Sequence, residues 1–142
     1  MRALGVDAGE RRIGLAVSDA SGLIASPLEV LTIEEGADAA ALVAGRARDL
    51  DVEAIVVGMP IDLRGEEGVA AQNMRGFVER LREATDLPVK TCDERMTSAV
   101  VARSMQEAGL SERDRRGQVD KVAAALILQT WLDRRREGGG ES

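Results

Sequence analysis

The hydrophobic positions of the first third of the chain follow the short period of β-structure. Apolar stretches at residues 3–8 and 12–18 are separated by a short polar turn, and two strands with so short a connection form a hairpin. A third strand is predicted at residues 28–33, after a second turn. The sheet therefore opens as an antiparallel meander.

Helical spacing begins after residue 37, and from there helices alternate with further strands. The pattern predicts strands at residues 53–58 and 88–92, a charged loop at 110–117, and helices at 37–50, 69–84, 98–108 and 118–136. This order predicts an α/β fold, whose mixed sheet is antiparallel at its first three strands, parallel afterwards, and covered by helices on both faces. Residues 1–136 would form a single domain, with a disordered tail at 137–142.

Composition narrows the chemistry that such a fold could perform. The chain has no histidine and a single cysteine, Cys92, so His-based catalytic sites, structural zinc and an internal disulfide are all excluded. Carboxylates, hydroxyls, arginines and lysines remain. A carboxylate-rich chain of this kind indicates hard cations, magnesium or manganese.

The charge and hydropathy of the chain bear on its partners and location. The net charge of −6 argues against a general nucleic-acid coat protein, although it leaves room for a local basic surface. No apolar run approaches the roughly 20 residues that cross a bilayer, and Asp7 interrupts the N-terminus too early for a signal peptide. We therefore expect a cytoplasmic protein with no membrane association.

Four acidic residues stand out because of where the predicted elements place them. Asp7 ends the first strand, Asp93 and Glu94 end the last strand, and Asp120 lies about one turn into the last helix. Asp120 is predicted at the edge of the apolar stripe of that helix, where a carboxylate needs a cation or an arginine as its partner. If the strands of Asp7 and Glu94 are central in the sheet, their ends can converge beneath Asp120.

Several carboxylates in one place repel each other, and divalent metal relieves that repulsion. Two such ions roughly 4 Å apart can activate a water molecule and stabilise the leaving oxygen of a phosphodiester. Each acid also has a purely structural interpretation: Asp7 as a turn residue, Asp93 and Glu94 as the start of a helix, and Asp120 as a first-turn acid that the helix dipole favours. The combination, in this order along the chain, favours metal-dependent hydrolysis of a nucleic-acid backbone.

Four sequence blocks carry a resemblance that covers nearly the whole chain in the right order. Residues 7–19 (DAGERRIGLAVSD) resemble the opening signature of the Holliday-junction-resolvase-like, pre-16S rRNA nuclease family, known as YqgF. Residues 56–60 (VVGMP) resemble its strand-loop motif, 93–98 (DERMTS) its Asp-Glu-Arg motif, and 119–129 (VDKVAAALILQ) its C-terminal helix. The motifs together are specific to this family.

The resemblance implies a ribonuclease H-like fold and a metal-dependent endonuclease, with two Mg²⁺ or Mn²⁺ ions held by Asp7, Glu94 and Asp120. The family pattern favours Glu94 over its neighbour Asp93 as the inward-pointing acid. The implied reaction is 5′-end processing of pre-16S rRNA in ribosome biogenesis. The alternative substrate is a Holliday junction in DNA recombination and repair, whose two-fold symmetry would require a dimer with two sites. The sequence leaves monomer and homodimer open.

Phosphate binding is expected from basic side chains near these acids. The candidates are Arg12, Arg95, Arg113, Arg115, Arg116 and Lys121. Arg12 and Arg95 are favoured because each lies in a motif next to an acid, whereas the three arginines of the predicted loop before Asp120 could close over substrate. The alternative for each candidate is a solvated side chain with no partner of consequence.

Two other classes of function are compatible with parts of the pattern. An ATPase or sugar kinase can also begin with Asp-x-Gly in a hairpin, but such proteins need a second lobe for adenosine, which 142 residues do not supply. A non-catalytic RNA- or ribosome-binding module would keep the fold, although the presence of Asp7, Glu94 and Asp120 counts against lost activity. Manganese binding that depends on Asp7 would distinguish an enzyme from a pure binding module.

Overall fold

The structure, a computed structural model, describes residues 1–9, 11–59, 68–93 and 112–137, without the side chains of residues 70 and 112–119. The strands in this part of the chain are β1 (Ala3–Ala8), β2 (Arg12–Ser18), β3 (Ala25–Thr32), β4 (Ala54–Met59) and β5 (Val89–Asp93). The helices are α1 (Ala39–Asp49), α2 (Val69–Ala84) and α3 (Glu112–Arg136).

Hydrogen bonding joins the strands into one sheet in the order β3-β2-β1-β4-β5. β1 pairs antiparallel with β2, and β2 with β3, whereas β1 with β4 and β4 with β5 form parallel pairs. The predicted α/β class, with an antiparallel meander that continues into parallel strands, is confirmed. β1 lies in the middle of the sheet, where Leu4, Gly5 and Val6 pair with a strand on each side and Asp7 and Ala8 pair with β2.

The alternation of side chains along the central strands assigns the two faces of the sheet to different helices. Leu4 and Val6 of β1 are fully buried in the core beneath α1 and α2, whereas Ala3 belongs to a second core beneath α3. β4 divides in the same way, with Val57 on the first face and Val56 on the second. Helices therefore cover both faces, as predicted.

An ion pair ties α1 to the edge strand β3. Arg46 donates from Nε and Nη2 to the two carboxylate oxygens of Glu29, at 2.9 and 2.8 Å, in the bidentate geometry that suits a guanidinium group. The hydrogen bond to Glu29 raises the pKa of Arg46 above its ordinary value. At the other end of α1, the Asp38 side chain accepts a hydrogen bond from the Ala41 amide and so caps the helix. Both ends of α1 are thereby fixed.

Helix α3 packs closely against the β1–β2 hairpin because two glycines face it. A Cβ atom at Gly5 would lie 2.7 Å from the Cβ of Leu128 and 2.8 Å from the carbonyl oxygen of Ala124. A Cβ atom at Gly14 would lie 2.0 Å from the carbonyl oxygen of Asp120. No side chain fits in these spaces, so the helix backbone lies directly on the sheet at both positions.

The buried face of α3 differs from the predicted stripe. Helical periodicity predicts a buried stripe of Val119, Val122, Ala123, Leu126, Ile127 and Thr130. Ala123 and Ile127 are buried as predicted, whereas Val122 and Leu126 are only half-buried, and Ala124 and Leu128, one and two turns after Asp120, are buried against the sheet. Asp120 therefore lies in line with the sheet-facing residues, not at the edge of the stripe. The physical reason is the pair of glycines below, which draws the helix backbone to the sheet along this line.

The N-terminus of α3 also differs from the prediction. The helix begins at Glu112, so the prediction of a loop at 110–117 is wrong over residues 112–117. This segment lacks proline and is rich in arginine, which has a high helix propensity. The acids Glu112 and Asp114 lie in the first turn, where the helix dipole favours them. The charges that suggested a loop are therefore compatible with the start of a helix.

Other boundaries differ less. β3 begins at Ala25 rather than at residue 28, because an edge strand tolerates Pro27 within its ladder. The predicted helix at 98–108 and residues 138–142 of the predicted tail lie outside the described residues. In the part of the chain that the structure describes, no helix is long and apolar enough to cross a bilayer.

We predict that Gly14→Ala destabilises the protein by about 1–3 kcal/mol or more, because the new methyl group would overlap the α3 backbone. Gly45→Ala is the matched control, since a Cβ atom there would meet nothing closer than 3.9 Å. Within helix α1, that change should stabilise by about 0.5–1 kcal/mol. Urea unfolding of the two variants measures both effects. Equal stability of Gly14→Ala and the wild type would contradict the close packing described here.

Candidate active site

The parallel strands end at one edge of the sheet, and β1 and β5 carry acidic residues near that edge. Val6 of β1 pairs with Val57 of β4, which in turn pairs with Thr91 of β5. The next residue along each strand therefore lies at the same level, and on β1 that residue is Asp7. The carboxyl ends of parallel strands in an open α/β sheet are where ligands bind in many folds. Asp7 thus occupies the central strand at the edge where a site is expected.

Asp7 and Asp120 lie on the same face of the sheet. Asp7 is directly opposite Gly14 in the β1–β2 ladder, and opposite residues of an antiparallel pair project to the same side. Gly14 is also the residue on which the backbone of Asp120 rests. Opposite Cα atoms are roughly 5 Å apart, so the Asp120 backbone packs on the strand position next to Asp7 and on the same face. The structure therefore brings these two predicted residues together.

Asp120 has an arginine as its partner. Arg12, the first residue of β2, lies two positions before Gly14 and so projects to the same face. Its Nε donates to Oδ2 of Asp120 at 3.1 Å, with the two side chains 40% and 21% exposed. The expectation that Asp120 needs a cation or an arginine from elsewhere is met by this pair. Arg12, predicted to bind nucleic acid, contacts a predicted metal ligand.

The position of Asp120 within α3 excludes one structural interpretation. The helix begins at Glu112, more than two turns before Asp120, and the effect of a helix dipole is confined to the first turn. The interpretation of Asp120 as a first-turn acid is therefore wrong. An acidic side chain on the sheet-facing line of a helix requires another explanation, and the contact with Arg12 together with the proximity of Asp7 supplies one.

The alternation along β5 distinguishes the two acids at its end. Val89 is buried in the core beneath α1 and α2, whereas Cys92 is buried beneath α3. Asp93 pairs with Met59 of the first core, so it projects to the α1–α2 side. Asp93 is therefore on the opposite face of the sheet from Asp7. Glu94, the favoured candidate, lies outside the described residues.

The remaining predicted residues are placed only in part. Arg95 lies outside the described residues. The backbone of Arg113, Arg115 and Arg116 belongs to α3, before Asp120, but the structure does not describe their side chains. Lys121 follows Asp120 in the helix and is half-buried.

The residues present fit a divalent cation. Asp7 and Asp120 offer carboxylate oxygens, which hard cations prefer, and the guanidinium of Arg12 shows that the Asp120 carboxylate attracts positive charge. Within the described ranges, no group of three metal-ligating side chains is assembled. Two of the three acids of the predicted site are thus in place on one face.

Sequence reasoning missed the role of Gly14. The signal was present, because a glycine in the interior of an apolar strand often marks close approach by another backbone. The small residues Ala123 and Ala124 also allow this end of the helix to come close to the sheet, but they do not identify the strand residue that it contacts. Gly14 links the two halves of the site, since it is opposite Asp7 and in contact with Asp120.

Comparisons with known proteins agree with the motifs. A family model described as RuvX, Holliday junction resolvase, matches residues 1–134. A protein of Anaeromyxobacter dehalogenans (strain 2CP-1), provisionally named a pre-16S rRNA nuclease, is 46% identical over 135 residues, which cover 95% of this chain and 98% of that protein. A Chloroflexus aurantiacus protein with the same provisional name is 38% identical, with 98% and 91% of the two chains covered.

Solved structures show the same fold at low sequence identity. The T. thermophilus RuvC structure in complex with a Holliday junction substrate matches with a TM-score of 0.64 and 21% identity, over 99% of this chain and 98% of that one. The fowlpox virus Holliday junction resolvase matches with a TM-score of 0.53 and 11% identity, over 94% and 99%. These likenesses confirm the predicted ribonuclease H-like fold.

We predict that Asp7→Asn weakens Mn²⁺ binding by about tenfold or more, because loss of a carboxylate ligand should cost at least as much as loss of a residue that orients one. Asp93→Asn removes the same charge on the opposite face and should change the affinity by less than about threefold. Calorimetric titration with Mn²⁺ measures both. Unchanged binding by Asp7→Asn, or equal losses in the two variants, would contradict a metal site on the α3 face.

Proposed function

The chain belongs to the RuvX family, and from this premise we propose that it is a metal-dependent endonuclease that processes the 5′ end of pre-16S ribosomal RNA. The observation that carries the proposal is the placement of Asp7 and Asp120 on one face at the carboxyl edge of the sheet, with a cationic group at Asp120. A proposed cytoplasmic location follows from such a substrate. The fold alone would not distinguish a nuclease from a binding module, whereas converging acids do.

We assign the metal ions to Asp7, Glu94 and Asp120, as Mg²⁺ or Mn²⁺ and two in number. When bound, such ions supply an activated water and stabilise charge on the leaving oxygen of a phosphodiester. The assignment of Glu94 is supported by the orientation of Asp93, which projects to the other face of the sheet. Of the two adjacent acids, Asp93 is therefore the one whose side chain is directed away from Asp7.

The protein contributes rigidity to this chemistry. Asp7 lies on the central strand, paired with Gly14 of β2, and it directly follows Val6, which pairs with Val57 of β4. Asp120 cannot shift toward or away from the sheet without losing the contact between its backbone and Gly14. Acids fixed by a strand and by a packed helix keep their spacing when a charged substrate arrives, which is the preorganisation that metal-dependent catalysis requires.

Basic side chains would hold the phosphates on either side of the scissile bond. We propose this role for Arg95, Lys121 and the three arginines at positions 113, 115 and 116. The helical backbone at these three positions supports the proposal, because it places them within about two turns of Asp120. Arginine suits the task, since its planar guanidinium can bind a phosphate through two hydrogen bonds.

The choice of RNA over a DNA junction rests on the relatives. Proteins that are 38–46% identical to this chain carry the name of a pre-16S rRNA nuclease. The resolvase structures, at 21% identity or less, support the fold alone. A Holliday junction remains the second candidate substrate, favoured by the description of the family model. Its two-fold symmetry would require a homodimer, whereas a site that processes one RNA end works equally in a monomer.

We predict metal-dependent cutting of one substrate class. Purified protein should cleave fragments that span the 5′ end of pre-16S rRNA when Mn²⁺ is present and leave them intact in EDTA. Asp7→Asn and Asp120→Asn should lower the rate by at least about a hundredfold, because each removes a ligand of the ions. Asp93→Asn is the matched control and should keep most of the activity. Gel analysis of labelled fragments, with a synthetic four-way junction in parallel, measures all four proteins.

Each contrary result has a distinct meaning. Cleavage of the junction in preference to the RNA would replace the substrate and keep the chemistry. If the well-folded wild type binds RNA but cuts neither substrate, the enzyme proposal is rejected and a non-catalytic RNA-binding module is the remaining function. Full activity in Asp7→Asn would refute the assignment of the site.

A further inference from the structure

The Arg12–Asp120 pair differs in geometry from the Arg46–Glu29 pair, which also joins a helix to a strand. Arg46 and Glu29 form two hydrogen bonds, of 2.9 and 2.8 Å, and clamp a helix to a strand. Arg12 reaches Asp120 through Nε alone, at 3.1 Å, within the part of the chain that the structure describes. A bidentate pair is the strong form of this interaction, and a single contact between partly exposed groups is the weak, exchangeable form.

The surroundings of the pair indicate which cation could replace Arg12 at the Asp120 carboxylate. Arg12 lies on the same face as Asp7 and diagonally across the hairpin from it, since Asp7 is opposite Gly14. A diagonal neighbour at roughly 7–8 Å is within reach of an arginine side chain. The guanidinium contacts the Asp120 carboxylate, which the proposed function assigns to a divalent ion. Two cations at one carboxylate repel each other, so each weakens the binding of the other.

The backbone of both residues is fixed, and the side chain of Arg12 is the part that can move. The hairpin holds Arg12 through the hydrogen bond from the Gly9 amide to its carbonyl oxygen, at 2.8 Å, and Gly14 holds the backbone of Asp120. The Arg12 side chain is 40% exposed. A guanidinium displaced from Asp120 would remain at the rim of the site with its hydrogen-bond donors available to a phosphate.

We propose that Arg12 neutralises Asp120 in the metal-free protein and that a divalent ion displaces it, so that its guanidinium binds a substrate phosphate and metal and nucleic acid bind cooperatively. This inference rests on the proposed function, because it requires a metal site at Asp120. Arg12 acts as a positioning residue before metal binds and as a phosphate ligand afterwards. Arg12 contacts either Asp120 or a substrate phosphate, and never both at once.

The exchange predicts a gain of metal affinity when Arg12 is removed. Arg12→Gln, without nucleic acid, should bind Mn²⁺ roughly threefold more tightly or better, because a competing cation is lost. Arg46→Gln is the matched control, since it removes an arginine from an ion pair on the other side of the sheet, and it should leave Mn²⁺ binding unchanged. Calorimetric titration measures the affinities. A purely structural role for Arg12 predicts the opposite sign, because Asp120 would lose its orientation.

The exchange also predicts how nucleic-acid binding depends on salt. With Ca²⁺ as a probe ion, the slope of log affinity against log salt for a pre-16S rRNA fragment should fall by about one in Arg12→Gln, because one phosphate contact is lost. In EDTA the slope should be the same in wild type and variant, since Arg12 is then held by Asp120. Arg12→Lys keeps the charge and should restore the slope in Ca²⁺. Thermal unfolding confirms that the variants are folded.

The outcomes separate this inference from the proposed function. If the wild type binds no Mn²⁺, both are overturned. If the wild type binds Mn²⁺ through Asp7 but Arg12→Gln binds it equally or more weakly, the exchange alone is overturned. An equal fall of the salt slope in Ca²⁺ and in EDTA would also overturn it, because Arg12 would then contact phosphate whether or not metal is bound.

Discussion

Helix α3 lies with its backbone directly on the β1–β2 hairpin, and the other features of the site depend on that contact. The contact exists because Gly5 and Gly14 leave no side chain between the helix and the strands. It fixes the height of the helix above the sheet and, through the carbonyl oxygen of Asp120, its position along the hairpin. A helix held one side chain further away would place its acid further from Asp7 than the proposed metal site allows.

The sheet topology supplies the other half of the arrangement. The central strand runs parallel to β4 and antiparallel to β2, so its end is bordered by a strand end on one side and by a hairpin on the other. Asp7 at this end therefore has Gly14 beside it within the hairpin and the end of β5 two strands away. The chain ends up with these segments side by side because the strand order is not the sequence order. The same edge of the sheet could also bind a ligand without catalysis, so the acidic residues there, and not the topology, are what favour metal-dependent chemistry.

Local patterns predicted the elements well, and tertiary contacts explain where they failed. Two apolar stretches separated by a short polar turn located the hairpin, and the resemblance of four motifs singled out Asp7 and Asp120, which the structure places on one face of the sheet. The start of α3 was misplaced because its charged first turns look like a loop when neither the dipole nor the rest of the helix is considered. The buried face of α3 was misjudged because an apolar stripe is only one way to pack a helix. At Gly14 the helix contacts the sheet through its backbone and not through side chains, and the apolar periodicity of the helix cannot predict such a contact.

The choice between Asp93 and Glu94 also depends on tertiary structure that the sequence pattern does not determine. Adjacent residues of a strand project to opposite faces, so the sequence narrows the choice to one of two but cannot name the face that carries the site. The burial of Cys92 beneath α3 fixes the alternation and turns Asp93 away from Asp7.

A site built from carboxylates carries an electrostatic cost whenever its ions are absent. Negative groups on one face of a packed sheet repel each other and would push the helix from the strands unless positive charge is present. A histidine could lose or gain a proton to adapt, but this chain has none. An arginine next to the site provides the charge permanently, and a single hydrogen bond keeps it displaceable. The bidentate pair of Arg46 and Glu29, where nothing needs to exchange, shows the alternative geometry in the same molecule. The weakness of the Arg12 contact is therefore consistent with a site that must be both stable without metal and open to it.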